Sequence, residues 1–167
     1  PKNISSFKAI NKIKKKFLLK KIGHAGTLDP LAKGILPVAI GKATKLISFV
    51  NNDIKKYYFT VSWGIQTSSD DSDGEILNRS KVLPELKQIE KIKNNFLGLL
   101  SQVPPKVSAV KINGQRAYKL VRIKQDFSIS SKDVFVKKIE VLNHKIDKTS
   151  FSLECGKGFY IRSFARD

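Results

Sequence analysis

Short stretches of strand character, separated by short helical stretches, constrain the fold of this chain more than any other feature. The clearest runs from Lys55 to Trp63, where aromatic and β-branched residues stand in partial alternation with polar ones. Val134 to Leu142 and Thr149 to Cys155 have the same character. Shorter strands are predicted over residues 35–40, 75–77 and 107–112, and the first of these would be buried. Strands with interspersed short helices predict an α+β domain built on a mixed, largely antiparallel sheet flanked by helices.

Helical patterns occur near both ends and in the middle of the sequence. Ser5 and Ser6 can cap a helix whose apolar residues recur at helical spacing as far as Phe17. Pro84 is typical of a first helical turn, and the amphipathic pattern after it ends at Gly98. Shorter helices are predicted over residues 44–50, over residues 117–121 and from residue 161 onward. The 167 residues are enough to bury one core, so a single domain is expected.

The sequence carries a large excess of positive charge. There are 32 lysines and arginines against 14 aspartates and glutamates, which leaves a formal net charge of +18. A surface of this sign is expected to bind a polyanion, with nucleic acid favoured over an anionic membrane surface. The alternative is a lysine-rich surface that only keeps the protein in solution. Eight lysines and no acidic residue precede Asp29, so the first helix concentrates this charge.

Several other classes of protein and site are disfavoured. The longest unbroken apolar run, Ile35 to Ile40, contains Pro37 and is far shorter than the roughly 20 residues of a membrane-spanning helix. Cys155 is alone, which excludes an internal disulfide and fits a reducing cytosol, and the two histidines are too few for a zinc site. The acidic segment Asp70 to Glu75 lacks the first and last acids of a calcium loop, so we interpret it as a solvated turn that could hold an arginine.

Residues 23–30, which read Gly-His-Ala-Gly-Thr-Leu-Asp-Pro, are expected to form an irregular loop, because two glycines and a proline interrupt any regular element. Their GxxG spacing also occurs where KH modules clamp a nucleic-acid backbone, although two glycines at this spacing are common. Asp29 in this loop is either a cap on neighbouring backbone amides or a catalytic group aimed at the ligand. Local physics favours the cap and leaves both interpretations open.

Other polar residues also have both a structural and a functional interpretation. His24 and His144 could form an acid–base pair for RNA cleavage, but nothing around them in the sequence pairs them, and His144 is expected to be a surface or hydrogen-bonded histidine. Tyr57 and Tyr58 start a strand and point to opposite faces, so one is expected in the core and the other could face a cleft. The arginine candidates for binding a carboxylate or a phosphate are Arg162 and Arg166.

A long run of residues carries a specific resemblance. Residues 23–37 read Gly-His-Ala-Gly-Thr-Leu-Asp-Pro-Leu-Ala-Lys-Gly-Ile-Leu-Pro and are continued at 41–45 by Gly-Lys-Ala-Thr-Lys. This run closely resembles the catalytic motif of the bacterial tRNA pseudouridine-55 synthases, the TruB family. Further blocks that agree in order are Lys56-Tyr57, Gly64, Asp71-Ser72-Asp73-Gly74, Gln102-Val103-Pro104-Pro105, Ser108-Ala109, Lys111, Gly114, Ala117-Tyr118, Arg122, Gly158 and Tyr160-Ile161-Arg162. Together these blocks span nearly the whole chain.

The resemblance implies an isomerase that modifies tRNA. Such an enzyme cuts the bond from ribose C1′ to N1 of a uridine in the T-loop, position 55, and rejoins C1′ to C5 of the same base. The implied partner is the T-arm of tRNA, with no cofactor, metal, membrane or obligatory protein partner, in the cytoplasm. Residues 1–167 would form one pseudouridine synthase catalytic domain, truncated at both ends and without the PUA-like RNA-binding module that normally follows.

The resemblance also implies roles for individual residues. Asp29 matches the essential aspartate, Arg162 the arginine that pairs with it, and Tyr57 the active-site tyrosine that stacks on the base. A carboxylate beside the sugar would stabilise or attack the positive charge that develops at C1′, and a glycal formed by proton removal at C2′ is the alternative. The positions matched to substrate binding are His24, Lys45 and Tyr160.

Three positions depart from the usual pattern of that family. Phe159 stands in place of a threonine or another small residue, Val107 in place of an aromatic residue, and Ser68 in place of an aspartate. None of the three is a position that the resemblance makes catalytic. We therefore expect these differences to change local packing or tRNA contacts.

Overall fold

The computed structural model describes residues 1–50 and 54–167 and divides the chain into two compact units, Pro1–Asp53 and Ile54–Asp167. All the strand pairs among the described residues are antiparallel, and helices accompany strands in both units. The α+β fold class is therefore confirmed. The expectation of one catalytic domain, truncated at both ends, stays a prediction.

The first unit begins with a basic helix and carries the loop that contains Asp29. Helix α1 covers Ser6–Lys16, and the Ser5 hydroxyl caps it by accepting a hydrogen bond from the Lys8 N–H at 3.2 Å. Strands β1 (Ile22–His24) and β2 (Val38–Ile40) pair with His24 opposite Val38, and a 3-10 helix covers Gly41–Phe49. The predicted helix at the N-terminus is confirmed, and its cap is the first of the two serines.

Two expectations for the first unit are wrong in part. The segment 23–30 is not irregular throughout, because Gly23 and His24 belong to β1 and pair with β2. The strand predicted over residues 35–40 begins only at Val38 and is not buried, since Ile35 is 92% exposed. Pro37 carries no N–H for a strand ladder, which limits the strand at this point.

The second unit contains a four-stranded sheet and two small hairpins. Its elements in chain order are β3 (Lys55–Ser62), β4 (Ile65–Thr67), β5 (Ile76–Arg79), α2 (Leu86–Ile92) with a 3-10 helix (Lys93–Phe96), β6 (Gly98–Gln102), β7 (Lys111–Ile112), β8 (Gln115–Arg116), α3 (Ala117–Arg122), β9 (Lys132–Lys145), β10 (Lys148–Cys155) and α4 (Ile161–Arg166). The large sheet has the order β3-β10-β9-β6, and the hairpins are β4-β5 and β7-β8. The three long predicted strands are confirmed as β3, β9 and β10.

The short elements of this unit were harder to predict. Strand β6 was not predicted, because Gly98–Gln102 contains no β-branched or aromatic residue, and it forms by pairing with β9. The strand expected over residues 107–112 is reduced to β7. The strand expected at 75–77 is β5, which begins at Ile76. It pairs with β4, a strand that was not predicted. Within the described residues, no helix has the length and apolar character needed to cross a membrane.

An aromatic cluster packs α4 against the large sheet. The Phe164 ring lies 5.6 Å from the rings of Phe59 and Phe151, and 4.9 Å from that of Phe96, in edge-to-face contacts. The Phe159 ring lies 6.3 Å from Phe164 and is also buried. This packing fixes the helix that carries Arg162.

We expect Phe164→Ala to lower the free energy of unfolding by about 3–5 kcal/mol, because it removes a buried ring and leaves a cavity between α4 and the sheet. Urea denaturation measures this change. Leu99→Ala is the matched control, because Leu99 is 75% exposed in β6 and its loss should change stability by less than about 0.5 kcal/mol. Equal losses in both variants would contradict the assignment of Phe164 to the core.

Candidate active site

The loop between β1 and β2 presents Asp29 at the surface of the first unit. Asp29 is exposed, and its carbonyl oxygen accepts a hydrogen bond from the Ala32 N–H at 2.9 Å. On one side the backbone of Leu28 bonds to the Ser6 hydroxyl, and on the other the Pro30 carbonyl accepts from the Asn3 N–H at 2.7 Å. The backbone around Asp29 is thus held from α1 and the segment before it, although Asp29 lies outside any helix or strand.

His24 and Lys45, the other two predicted site residues of the first unit, lie on β1 and on the 3-10 helix. The His24 Nδ1 atom is 2.5 Å from the Gly26 carbonyl oxygen. Because a carbonyl oxygen only accepts, Nδ1 is the donor in this contact. Lys45 is exposed. A Cβ on Gly23 would lie 2.8 Å from Ile47 Cδ1, so a glycine at this position allows β1 to approach the 3-10 helix.

Arg162 lies in the first turn of α4 and is largely enclosed, with 11% of its side chain exposed. Its Nη1 donates to the carbonyl oxygens of Ser69 and Val107, both at 3.0 Å, and is 3.6 Å from Asp71 Oδ2. Two separate loops of the second unit therefore hold this guanidinium. Arginine suits such a position because its planar fork offers several donors in a fixed geometry.

The acidic turn at residues 70–75 has a folded internal structure. Asp71 Oδ1 accepts hydrogen bonds from the Ser69 hydroxyl at 2.6 Å and from the Asp73 N–H at 3.0 Å. A Cβ on Gly74 would overlap the Ser69 side chain, which explains why a glycine follows the acids. The prediction that this turn holds an arginine is confirmed by the contact between Asp71 and Arg162.

Arg166, one turn further along α4, bonds to the same acidic turn. Its Nη1 donates to Asp70 Oδ2 at 3.2 Å, its Nη2 to the Val103 carbonyl at 2.9 Å and its Nε to Asp167 Oδ1 at 2.8 Å. Burial raises the pKa of the Asp70 carboxyl, against the lowering by Arg166. Burial lowers the pKa of Arg166, but its contacts with Asp167 and Asp70 outweigh that effect and raise it.

Tyr57 and Tyr160 lie in the same unit as Arg162. Tyr57 is half-buried against the core on β3, whereas Tyr58 is 69% exposed, so the predicted division between the two faces is confirmed. Tyr160 is the N-cap residue of α4. Its N–H donates to Gln102 Oε1 at 2.8 Å, and Gln102 Nε2 donates to its carbonyl at 3.1 Å. These bonds fix the start of the helix that carries Arg162.

Two buried polar residues with long-range hydrogen bonds were not identified from the sequence. Gln102 is 3% exposed and holds Tyr160 across 58 residues of chain, and Ser6 is 5% exposed and holds Leu28 across 22 residues. Gln102 lies in one of the blocks that carry the family resemblance, which was a usable signal. Ser6 was interpreted as a helix cap, and local spacing gave no indication of its partner.

Three further expectations can be compared with the contacts. His144 Nδ1 is 2.8 Å from Thr149 Oγ1, which confirms the prediction of a hydrogen-bonded histidine. Phe159 packs in the aromatic cluster, as expected for a change that alters local packing. Val107 contributes its carbonyl to Arg162, a contact that does not depend on its side chain.

Burial raises the pKa of the Cys155 thiol to about 12, so this cysteine is not a nucleophile at neutral pH.

The six predicted site residues are divided equally between the two units. His24, Asp29 and Lys45 belong to the first, and the remaining three belong to the second: Tyr57, Tyr160 and Arg162. Within the second unit the structure brings Tyr160 and Arg162 to the start of α4. The first unit thus carries an exposed carboxylate and an imidazole, and the second carries an enclosed guanidinium.

Known proteins match this sequence along its whole length. The tRNA pseudouridine synthase B of Ehrlichia chaffeensis is 50% identical over 169 residues, which cover 100% of this chain and 57% of that protein. The enzyme of the same name from Brucella anthropi is 46% identical over 168 residues, covering 100% and 52%. The chain thus spans little more than half the length of these relatives.

Solved structures and a family model agree with these matches. A Cbf5-Nop10-Gar1 complex contains a chain with a TM-score of 0.69 and 28% identity, covering 99% of this chain and 40% of that one. An H/ACA ribonucleoprotein bound to a substrate RNA containing 2′-deoxyuridine gives a TM-score of 0.68 at 24% identity, covering 99% and 38%, which supports the fold alone. The model of the TruB family pseudouridylate synthase N-terminal domain matches residues 14–161. The chain therefore belongs to the TruB family of pseudouridylate synthases.

Proposed function

We propose that this protein isomerises the uridine at position 55, in the T-loop of tRNA, to pseudouridine. The observation that carries this proposal is the match of the TruB family model over residues 14–161, which include Asp29 and its motif. Relatives named tRNA pseudouridine synthase B, 44–50% identical over the whole chain, support tRNA as the substrate. The strongly positive net charge of +18 suits a polyanionic substrate.

The proposed reaction conserves all atoms. The bond between C1′ and N1 of the uridine breaks, the base turns, and C1′ bonds to C5; C5 then loses its hydrogen and N1 gains one. Positive charge develops at C1′ as the first bond breaks, so a carboxylate beside the sugar lowers the barrier. We assign this role to Asp29, as a stabilising or attacking group, and the exposure of Asp29 on its loop supports access by a substrate.

Arg162 and Tyr57 are assigned the other catalytic roles. A guanidinium near the reacting carboxylate would pair with it and keep it oriented, and the enclosure of Arg162 by two carbonyl groups and Asp71 supports a fixed position. Tyr57 is half-buried near the start of β3 and packs partly against the core, and we assign it to stack on the base. Tyrosine is also a suitable group to assist loss of the C5 proton.

His24, Lys45 and Tyr160 are assigned to substrate binding. A uridine stacked within the T-loop hides C1′, so it must turn out of the stack at a cost of a few kcal/mol. The second ring nitrogen of His24, Nε2, could offset part of this cost by bonding to the nucleotide, while Nδ1 bonds to the Gly26 carbonyl. Lys45 is exposed, and we assign it to contact a phosphate of the substrate. Tyr160 precedes α4, close to Arg162, and we assign it to contact the nucleotide there.

The decisive experiment is incubation of the full-length protein with unmodified tRNA, followed by mapping of any isomerised uridine. Pseudouridine at the T-loop position supports the proposal. Intact, unmodified RNA bound to the protein would instead indicate a binding protein without catalysis. Shortened RNA would indicate a ribonuclease, whose activity should then depend on His24 or His144.

The lysines of α1 are expected to contact tRNA phosphates. Lys8, Lys12 and Lys16 follow one another at one-turn intervals and are exposed, and no acidic residue lies before Asp29. Changing the three to glutamine should weaken tRNA binding, and the slope of log affinity against log salt should fall by about one for each lysine that contacts a phosphate. Binding measured between low and moderate salt tests this.

Three lysines of the second unit provide a matched control for that experiment. Lys137, Lys138 and Lys148 lie close to acidic side chains, with the Lys138–Glu140 pair at 2.7 Å. Their charges are offset locally, so their replacement by glutamine should change the salt slope less. An equal change in both triple variants would mean that only total charge matters and would contradict a specific role for α1.

A further inference from the structure

Ser6 is a nearly buried polar residue that contacts the backbone next to Asp29. Its Oγ accepts a hydrogen bond from the Leu28 N–H at 2.9 Å and donates to the Leu28 carbonyl oxygen at 3.2 Å. A hydroxyl can do both because it has one proton and two lone pairs. The Leu28 carbonyl belongs to the peptide bond that joins Leu28 to Asp29. Ser6 thus holds the backbone on the N-terminal side of that aspartate.

The opposite side of Asp29 is held by the segment that precedes α1. The Asn3 N–H donates to the Pro30 carbonyl at 2.7 Å, and Asn3 has a φ of 63°, a left-handed conformation that asparagine tolerates better than most residues. Residues 27–29 belong to no helix or strand. Their position therefore depends on contacts such as these and not on a hydrogen-bond ladder.

We propose that Ser6 is a positioning residue, which sets the location of the Asp29 carboxylate by fixing the peptide bond before it. This inference rests on the proposed catalytic role of Asp29. Ser6 itself has no contact with substrate in this account and acts through the loop. Its effect should fall on the chemical step, because a misplacement of a reacting group by 1 Å can slow a reaction by about a hundredfold.

The test is the rate of pseudouridine formation by full-length Ser6→Ala in a single turnover at saturating tRNA. We expect this rate constant to fall about ten- to a hundredfold, with the tRNA dissociation constant changed by less than about threefold. Ser6→Thr keeps the hydroxyl and should restore a rate close to that of the wild type. A purely structural role would not be expected to separate rate from affinity in this way.

Ser5→Ala is the matched control. Ser5 caps the same helix by accepting from the Lys8 N–H at 3.2 Å, so its loss weakens α1 without removing the bonds to Leu28. Thermal unfolding curves of both variants give their melting temperatures and their folded fractions at the temperature of the rate assay. We expect Ser5→Ala to melt earlier than the wild type while its single-turnover rate constant, corrected for the folded fraction, is unchanged.

The outcomes separate this inference from the proposed function. An inactive full-length wild-type protein would overturn both. An active wild type with equal rates in Ser6→Ala and Ser5→Ala would overturn the positioning role and leave the proposed function standing. If Ser6→Ala does not fold, Ser6→Cys replaces it, because a thiol has nearly the same size and bonds more weakly. If Ser6→Cys melts at the same temperature as the wild type, a slower single-turnover rate supports the inference, and a rate equal to that of the wild type overturns it.

Discussion

Asp29→Ala is expected to abolish pseudouridine formation while tRNA binding is largely retained. The carboxylate would act on the charge that develops at C1′ in the transition state, so its removal should slow the reaction by at least about a thousandfold. Asp29→Asn should have nearly the same effect, because it keeps the shape of the side chain and removes only the charge. Single-turnover formation of pseudouridine and the tRNA dissociation constant, measured on the same preparations, provide the two readouts.

Asp126→Ala controls for the loss of one negative charge from a basic protein. Asp126 is fully exposed, and its carboxylate is 4.0 Å from Lys106 Nζ, so its replacement should leave the rate unchanged. Normal turnover by Asp29→Ala would remove this residue from the reaction. A parallel loss of tRNA affinity and rate in Asp29→Ala would instead assign Asp29 to tRNA binding. We do not expect this result, because a carboxylate repels the phosphates of tRNA.

The long strands could be predicted from the sequence because their side chains reflect two different environments. In β3, Tyr57, Phe59 and Val61 face the core, while Tyr58 and Thr60 are exposed, and this alternation is visible without a structure. Strand β6 has no such signal, and its backbone is extended because β9 offers hydrogen bonds. Strand identity in short segments is thus a property of the partner as much as of the segment.

The candidate site shows the same limit. The residue types at Asp29 and Arg162 were identified through a long, ordered motif, whereas local physics favoured a backbone cap for Asp29. Ser6, which bonds to Leu28, and Gln102, which bonds to Tyr160, make these contacts across 22 and 58 residues of chain. A contact at such separation leaves no periodic pattern in the sequence, so these roles required the fold.

Arg162→Lys is expected to slow pseudouridine formation by about a hundredfold or more, despite the retained positive charge. Arg162 makes two hydrogen bonds to carbonyl groups at 3.0 Å and approaches Asp71 at 3.6 Å, all through Nη1, and its guanidinium carries five N–H donors in a fixed fork. A lysine ammonium has three donors on one atom and cannot reproduce that fork. In the proposed mechanism the lost donors are those that orient the Asp29 carboxylate, so the rate should fall more than the affinity for tRNA.

Arg166→Lys is the matched control, because it makes the same chemical change one turn later on α4. Arg166 also bonds to the acidic turn, through Asp70 at 3.2 Å, but it is more exposed, with 24% of its side chain accessible against 11% for Arg162. Its replacement should affect stability slightly and the single-turnover rate little. A large rate loss in Arg166→Lys with normal turnover in Arg162→Lys would contradict this assignment, because it would make Arg166, and not Arg162, the residue that orients the carboxylate. If both variants lose rate only in proportion to unfolding, measured by their melting temperatures, the two arginines serve to fix α4 on the acidic turn and neither orients the carboxylate.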